Sequence, residues 1–366
     1  MAAPSNIRIN PFIGDGGTTN YVDFTEVHII PAVSPFVVRL NEVPQKKDPS
    51  NMKVVYVDET TGAPTTTVLT EVAATPGAGE FRPDYSTNAD GDEDWNTGLI
   101  EFSRADAGKS IQVSYTGMGT LAGVKNNRFP AWWLDRGDGS DGDFRPTGNT
   151  TISGLKYYRS VFIPAGVTVT VSQWAKIHCQ GAVIILGTLS AAGQGSAGGA
   201  GARQDTGGNG YTGSGGNGST GGAGGDAGYG GGNGGSGGSG ETRKVFANDY
   251  NCLFFGGGGG GGGAYQGRGA GGNGGTGGGD IVIVSSSIKI KGIITAAGIS
   301  GGGGGTSSGG GGGGGGGRVM ILTNLYINNG NVIVSGGSGG AAGNNAGGTG
   351  ASGDSGIFIA KELGIM

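Results

Sequence analysis

Glycine tracts that alternate with short apolar segments constrain the fold of this chain more than any other feature. Most of the 90 glycines among its 366 residues lie beyond residue 193, and the longest tracts are 256–263, 301–305 and 309–317. Three apolar segments begin 38 residues apart, at Ile281, Val319 and Ile357. A fixed period is typical of repeat architectures, in which no single unit buries its own apolar residues. The pattern therefore predicts stacked β-strands, a small β-solenoid, from which glycine-rich excursions project.

The glycine tracts have two interpretations, a flexible linker or an ordered assembly. Glycine loses more backbone entropy on folding than any other residue, which favours a linker. Order is favoured because all 12 prolines lie at or before Pro164, and because Thr220, Ala223 and Asp226 interrupt glycine at every third position. A polyproline II helix has three residues per turn and no internal hydrogen bonds, so its amides are available to neighbouring helices. We therefore predict packed polyglycine II helices and not a collagen triple helix.

Composition excludes several classes of partner. The net charge is −4 and only 14% of the residues are charged, so we expect no nucleic acid partner and no anionic membrane surface. The apolar stretches are shorter than the roughly 20 residues of a membrane helix, and the N-terminal sequence lacks the apolar region of a secretory signal. The two cysteines, Cys179 and Cys252, either pair or remain as two buried thiols.

The chain divides by composition into three parts. Residues 1–120 alternate like six or seven short strands, which predicts a β-sandwich-like attachment domain. Residues 121–150 form a connector, in which Trp132 and Trp133 are either a sugar-stacking platform or packing residues. Residues 151–366 form the glycine-rich domain. The predicted fold class is all-β, an N-terminal β-sandwich followed by a small β-solenoid with projecting, packed polyglycine II helices.

We find no constellation of residues that predicts catalysis, a cofactor or a metal. The two histidines, His28 and His178, are 150 residues apart. The only carboxylates in the repeat strands are Asp280 and Glu362, which lie at the strand margins. A glycan hydrolase would need paired carboxylates on neighbouring strands. The acidic run 90–94 is either a cation-binding loop or a solvated loop. The Asp-rich segment 135–143 is either a cation-binding loop or a series of tight turns. We therefore expect a protein that is not an enzyme.

A resemblance to a known family rests on the glycine tracts and on the step from strand to tract at 293–298, Ile-Ile-Thr-Ala-Ala-Gly, into 301–305. This pattern, over roughly residues 150–366, resembles the glycine-rich adhesins at the tail fibre tips of some T-even-like bacteriophages, in which polyglycine II helices pack in a lattice. Residues 35–44 and 107–115 look like β-rich attachment domains of phage tail proteins. The chain differs from the adhesins in having this additional domain and a strand repeat.

The resemblance implies a non-catalytic tail protein that attaches the virion to a host cell-surface receptor, either an outer-membrane protein or a polysaccharide. Its other expected partners are phage tail proteins, and a homotrimer is one assembly that the resemblance allows. Such a protein is expected to be made in the bacterial cytoplasm without a signal peptide and to be exposed on the virion tail. Two alternatives are a structural tail or surface-filament protein assembled through glycine-rich faces, and a cell-surface depolymerase.

Receptor contacts in that family lie on loops between glycine helices, which here are 205–217, 241–255, 264–268, 306–308 and 344–346. The island 241–255, which interrupts the first tract with charged and aromatic residues, lies either at a loop tip or folded back onto the body. The side chains predicted to contact the receptor are Tyr211, Arg243, Lys244, Phe246, Tyr250, Phe254, Phe255, Tyr265 and Arg268.

Overall fold

The computed structural model confirms that the chain is all-β. It describes residues 22–41, 44, 52–87, 93–117, 136–137, 139–203, 209, 220–227, 253–264, 269–343 and 347–362. Within these ranges the only helical element is one 3₁₀ turn, Arg104–Asp106. No described helix is long and apolar enough to cross a membrane.

Two four-stranded sheets are built from the first part of the chain. Their strands are β1 (Val22–Ile29), β2 (Val37–Arg39), β3 (Lys53–Val57), β4 (Pro64–Val68), β5 (Thr70–Glu71), β6 (Glu80–Thr87), β7 (Glu93–Phe102) and β8 (Ser110–Gly117). One sheet has the order β1-β8-β3-β4 and the other β2-β7-β6-β5. Alternate residues such as Val54 and Val113 of the first sheet and Phe81 and Ile100 of the second share one buried cluster. The period-two pattern of the sequence therefore directs both sheets towards a common core.

A ten-stranded sheet follows, and its strands are parallel. They are β9 (Asp143–Phe144), β10 (Thr150–Tyr158), β11 (Ser160–Ile163), β12 (Thr168–Ile185), β13 (Thr188–Ser190), β14 (Asp280–Ile290), β15 (Ile293–Thr295), β16 (Arg318–Asn328), β17 (Asn331–Ile333) and β18 (Ile357–Glu362). The main path runs β17-β15-β13-β12-β14-β16-β18, with β9, β10 and β11 pairing beside it. The sheet is nearly closed. Ile281, Ile283, Val319 and Ile321 contribute to its interior cluster and are fully buried.

Strand pairing explains the 38-residue period. Ile281 pairs with Val319, and Ile293 pairs with Asn331, both 38 positions apart. The last repeat differs from the sequence expectation, because Ile357 pairs with Arg318 and not with Val319. Earlier strands repeat sooner, since Thr150 pairs with Val169 only 19 positions on. A 38-residue repeat therefore consists of one short circuit of the sheet, as in the earlier strands, and a glycine excursion about as long as that circuit.

The described residues of the excursions form eight segments, without helix or sheet, that we name g1 to g8. They are g1 (194–203), g2 (220–227), g3 (256–264), g4 (269–279), g5 (296–305), g6 (308–317), g7 (334–343) and g8 (347–356). Segments g5 and g6 leave and return to the sheet as one pair, between β15 and β16, and g7 and g8 do so between β17 and β18. In g2, Thr220, Ala223 and Asp226 are exposed, whereas Gly222 and Gly225 are buried. In g2, side chains thus occur where the backbone faces solvent.

Segment g6 lies at the centre of the hydrogen bonds that join these segments. Each amide of residues 309–317 donates to a carbonyl of another segment over 2.7–3.0 Å, and the acceptor rotates between g3, g8 and g5 with a period of three. Carbonyls of the same stretch accept from amides of g2, g4 and g7. Because backbone polar groups buried away from water need partners, this network satisfies g6 on every side. Segment g6 therefore has six neighbours.

This close packing leaves no room for a side chain at eight of the nine glycines of 309–317. At positions 309–314, 316 and 317, an added Cβ atom would lie only 1.8–2.1 Å from a backbone oxygen of another segment. Real Cβ contacts are never this short, so a neighbouring backbone would have to move. Glycine is thus a packing requirement at these eight positions.

We expect Gly312→Ala to destabilise the protein strongly. The new Cβ would lie 1.9 Å from the Gly222 oxygen, so at least one segment must shift and lose hydrogen bonds. Overpacking of this kind typically costs about 1–3 kcal/mol and occasionally more. The matched control is Gly303→Ala, whose Cβ would meet nothing closer than the Ala341 oxygen at 3.8 Å. Thermal and urea unfolding of both variants measure the difference, and equal stabilities would contradict the packing argument.

The first sheet also packs directly on the parallel sheet. Val27 and Ile29 of β1 share a buried cluster with Phe162 and Ile184. The backbones come so close that a Cβ on Gly181 would lie 2.8 Å from the Val27 oxygen. Strand β1 therefore contributes to the core on one face and to this contact on the other.

Charged side chains complete that contact. Glu59 accepts hydrogen bonds from both Lys289 and Lys291, and buried Lys289 also donates to the Gly108 oxygen at 2.7 Å. Burial alone would raise the pKa of the Glu59 carboxyl, but the hydrogen bonds and charges of the two lysines together hold it below its ordinary value. The ionised carboxylate is therefore the form that stabilises the folded protein.

We predict that Glu59→Gln removes a pH-dependent part of the stability. Because the folded-state pKa is lowered, the contribution of Glu59 is present above the ordinary glutamate pKa of about 4.3 and is lost as the pH falls through the lower folded value. At pH 7 we expect a loss of about 1 kcal/mol, since the pair is partly exposed to solvent. Urea unfolding from pH 7 to pH 3 should show the two proteins converging in acid. Exposed Glu71→Gln serves as control, and a pH-independent difference for Glu59→Gln would contradict the assignment.

Candidate functional site

Several glycine segments end together, at what we name the distal end, the end remote from the sheet. The amide of Gly305 donates to the Ala270 oxygen at 2.9 Å, and the amide of Gly343 donates to the Ser308 oxygen at 3.0 Å. The amide of Gly348 donates to the Asp226 oxygen at 2.8 Å. The residues that flank 265–268 and 344–346 therefore lie beside the turn 305–308. Three of the loops with predicted receptor contacts, 264–268, 306–308 and 344–346, begin and end at this common end.

The turn 305–308 has unfavourable backbone geometry for its sequence. The amide of Ser308 donates to the Gly305 oxygen at 3.0 Å, which closes a four-residue turn. Ser307, its third residue, has φ = 55°, a left-handed conformation that normally selects glycine. The Ser307 side chain is buried, and its hydroxyl has no hydrogen-bond partner in the described part of the chain. A serine in this place costs stability in a chain that supplies glycine almost everywhere else.

We expect Ser307→Gly to stabilise the protein by about 1 kcal/mol, because a non-glycine left-handed residue costs of order 1–3 kcal/mol and the added unfolded-state entropy offsets part of the gain. Ser307→Ala is the matched control, since it removes the hydroxyl and keeps the strained backbone. Differential scanning calorimetry should rank glycine above both alanine and serine. A destabilised glycine variant would show that the serine makes a favourable contact.

Of the nine side chains predicted to contact a receptor, two lie in described residues. Phe254 is only 6% exposed, which favours the alternative that this end of the island folds back onto the body. The centroid of its ring lies 6.0 Å from the Arg318 guanidinium carbon, beside the sheet. Phe255 is half-buried next to it. Leu253–Phe255, the end of the island, therefore lies against the body and not at the distal end. Tyr211, Arg243, Lys244, Phe246, Tyr250, Tyr265 and Arg268 lie outside the described residues and stay predictions.

Phe254 adjoins a buried ion pair that the sequence analysis did not identify. Arg318 donates from Nε to Asp280 Oδ1 at 2.9 Å and from Nη2 to Asp280 Oδ2 at 2.8 Å. The side chains are 0% and 1% exposed. Burial raises the pKa of the Asp280 carboxyl, and the Arg318 guanidinium and the Phe254 amide oppose that rise. A signal was present, because each residue directly follows a glycine tract and the two are 38 positions apart.

Two of the carboxylates that suggested cation binding have structural partners. The Asp141 carboxylate accepts from the Tyr157 amide at 2.7 Å, and Asp143 accepts from the Ser160 hydroxyl at 2.7 Å. These contacts favour the tight-turn interpretation of 135–143. Glu93 and Asp94 belong to β7, whereas residues 90–92 lie outside the described ranges, as do Trp132, Trp133 and Cys252. Across the described residues, no group of three His, Cys, Asp or Glu side chains could hold a metal.

Cys179 is a free thiol in the interior of the parallel sheet. Its burial raises the pKa of the thiol to about 12, so it stays protonated at neutral pH. The neighbouring His178 is 2% exposed and packs against the Tyr157 ring, with 5.2 Å between ring centroids. Cys179 is therefore a packing residue and is not activated as a nucleophile.

Comparison with known proteins adds no family assignment. No family model, no curated protein and no solved structure matches this chain. The resemblance to phage adhesins therefore rests on the sequence pattern alone.

Proposed function

We propose that the N-terminal sheets form a β-sandwich and that the remainder is a small β-solenoid carrying a bundle of polyglycine II helices. The solenoid assignment is supported by parallel pairing at a repeat of 38 residues. The helix assignment is supported by g6, whose amides donate to the same neighbour at every third residue, as a threefold helix requires. The prediction of three parts, 1–120, 121–150 and 151–366, is retained within this proposal.

We propose further that the chain is a phage tail protein that attaches the virion to a receptor on the host cell surface, without bond chemistry. The observation that carries this proposal is the bundle of hydrogen-bonded glycine segments, which brings the flanks of three loops to one distal end. Side chains replace glycine in those loops, at Tyr265, Arg268, Thr306 and Asn344. The receptor would be an outer-membrane protein or a polysaccharide.

Rigidity is the physical advantage of such a scaffold. Ordering loops on binding costs roughly 0.5–1.5 kcal/mol for each immobilised side chain, and anchoring both ends of each loop beforehand lowers that cost. Aromatic and arginine side chains contribute most to binding energy at protein surfaces. Tyr265 and Arg268 are side chains of these two types, and they belong to a loop whose flanking residues, Ala264 and Gly269, are anchored. The N-terminal sandwich would meanwhile contact other tail proteins.

Cell labelling tests the proposal directly. The purified full chain, carrying a fluorophore, is expected to label some strains in a broad panel of bacteria and to compete with phage adsorption to them. The double variant Tyr265→Ala/Arg268→Ala should lose at least about tenfold in affinity, since two such contacts are typically worth more than 1 kcal/mol each. Arg104→Ala, which removes an exposed charge in the 3₁₀ turn between β7 and β8, is the control. Absence of labelling across the panel would contradict the proposal.

One observation favours the structural alternative, assembly of copies into a filament. Among the described strands, β18 pairs only with β16, so its other edge is open to pairing. Phe358 in that strand is 41% exposed, and Ile333 in β17 is 38% exposed. Exposed sheet edges with apolar residues are prone to pair with other chains. Long assemblies of the full chain in sedimentation, together with no cell labelling, would favour this alternative.

A further inference from the structure

The last strand of the parallel sheet has an open edge. β18 pairs with β16 along its whole length, and no other described strand pairs with its far side. Phe358 is 41% exposed, and Ala360, Lys361 and Glu362 are exposed as well. Because the backbone groups on an open edge are unpaired, such an edge is a template for a strand of another chain. β18 is therefore a candidate interaction surface.

The other edge strands in the described part of the chain are protected. β2, β5, β9 and β17 have only two or three residues, β4 begins with Pro64, and the pairing of β10 shifts its register at Gly154. β1 is covered, because Val27 packs against the parallel sheet. Short strands, proline, bulges and covering elements are the usual means by which proteins prevent edge pairing. β18, in contrast, begins with three apolar residues, and its two charges lie at its end.

The backbone of β18 determines how a partner strand can bind. The Ile357 amide donates to the Gly317 oxygen at 3.0 Å, so it points towards β16. Successive residues of a strand direct their amide and carbonyl groups to opposite sides, and the groups of Phe358 and Ala360 therefore point away from β16. In an antiparallel pair, two residues that face each other in this way exchange two hydrogen bonds. Phe358 and Ala360 are thus the positions at which a partner strand would bond.

A second β18 matches this edge in an antiparallel register centred on Ile359. Phe358 then lies opposite Ala360 of the second copy, and Ala360 lies opposite its Phe358, so both open positions of each strand are paired. A large side chain meets a small one in both places, which suits cross-strand packing. Lys361 lies opposite Ile357 of the second copy, and no two like charges face each other. Strand β18 is therefore complementary to itself in shape, charge and hydrogen bonding.

A head-to-tail arrangement, which would build a filament, fits the same edge less well. It would pair β18 with the far edge of β10, where the register shift at Gly154 interrupts a regular strand. The glycine bundle does not extend such a contact, because Thr349, Ser352 and Ser355 are exposed on g8 and their Cβ atoms would keep a further glycine segment at a distance. Pairing about a twofold axis, in contrast, uses one edge from each copy and closes.

We propose that two copies of this chain pair through β18, antiparallel and about a twofold axis, to form a closed dimer. Segment g8 leads directly into β18, so the glycine bundles of the two copies project to opposite sides of the shared edge. The distal end of each bundle lies outside the contact. The inference goes beyond the proposed function and does not depend on it.

Sedimentation equilibrium of the full chain tests the proposal. With rising concentration, the wild type should pass from the mass of one chain to that of two and go no further. Phe358→Lys should weaken the association about tenfold or more, because each dimer loses two cross-strand contacts and gains two charges at its edge. Ala360→Pro should do the same, since it removes an amide that points away from β16 and leaves the sheet itself paired. Ile333→Lys is the matched control, because it makes the same change at an exposed position of β17 and should leave the association unaltered.

Each outcome bears on the inference. A wild type that stays monomeric at every concentration would overturn it, as would a trimer or an assembly that grows without limit, and the last of these would favour the structural alternative. A dimer that persists unchanged in Phe358→Lys, a surface substitution that keeps the fold, would place the contact elsewhere and also overturn it. Cell labelling is a separate readout, because a wild-type dimer that labels no strain would support this inference and contradict the proposed function instead.

Discussion

Backbone hydrogen bonds between glycine segments are the interaction on which the second half of the molecule depends. Each amide in g6 reaches a carbonyl of another segment within 3.0 Å, a separation that a Cβ would block at nearly every position. The same requirement excludes side chains from the interior and allows them where a segment faces solvent or turns. Binding groups can therefore lie only on the outside and at the ends of the bundle. The close approach of the backbones therefore explains the glycine composition, the packing of the segments and the location of a functional surface.

Ordering so much glycine is costly, and the parallel sheet lowers that cost. Fixing a backbone residue costs roughly 1–2 kcal/mol of conformational free energy, with glycine at the upper end. Segments g5 and g6 begin after β15, which pairs with β13 and β17, and end at β16, which pairs with β14 and β18. The sheet thus fixes both ends of each excursion. Strand pairing therefore offsets the entropic cost of closing a loop of about 20 residues. The bundle and the sheet are therefore expected to fold as one cooperative unit.

Features that depend on local periodicity could be predicted from the sequence, and those that depend on long-range packing could not. The 38-residue spacing between Ile281 and Val319 is the pairing register, and every third residue of g2 is exposed. The unbroken glycine run 309–317 marks g6 in the sequence, but its central position follows from where six other segments lie, which no local pattern shows. Phe254 was predicted as a receptor contact because an aromatic residue in a glycine tract resembles a loop tip. Its burial depends on Arg318, a residue 64 positions further on.

Polar residues also give this fold a unique register. Parallel strands rich in Val and Ile are nearly interchangeable, and glycine segments differ even less, so displaced pairings would satisfy almost the same contacts. Asp280 with Arg318, Ser285 with Thr323 and Lys289 with Glu59 are the contacts that a displaced pairing cannot reproduce. All three involve β14, the strand that follows the longest excursion and faces the greatest choice of partners. Charge and hydroxyl pairs therefore supply the specificity that a sequence of glycine and branched aliphatic residues lacks.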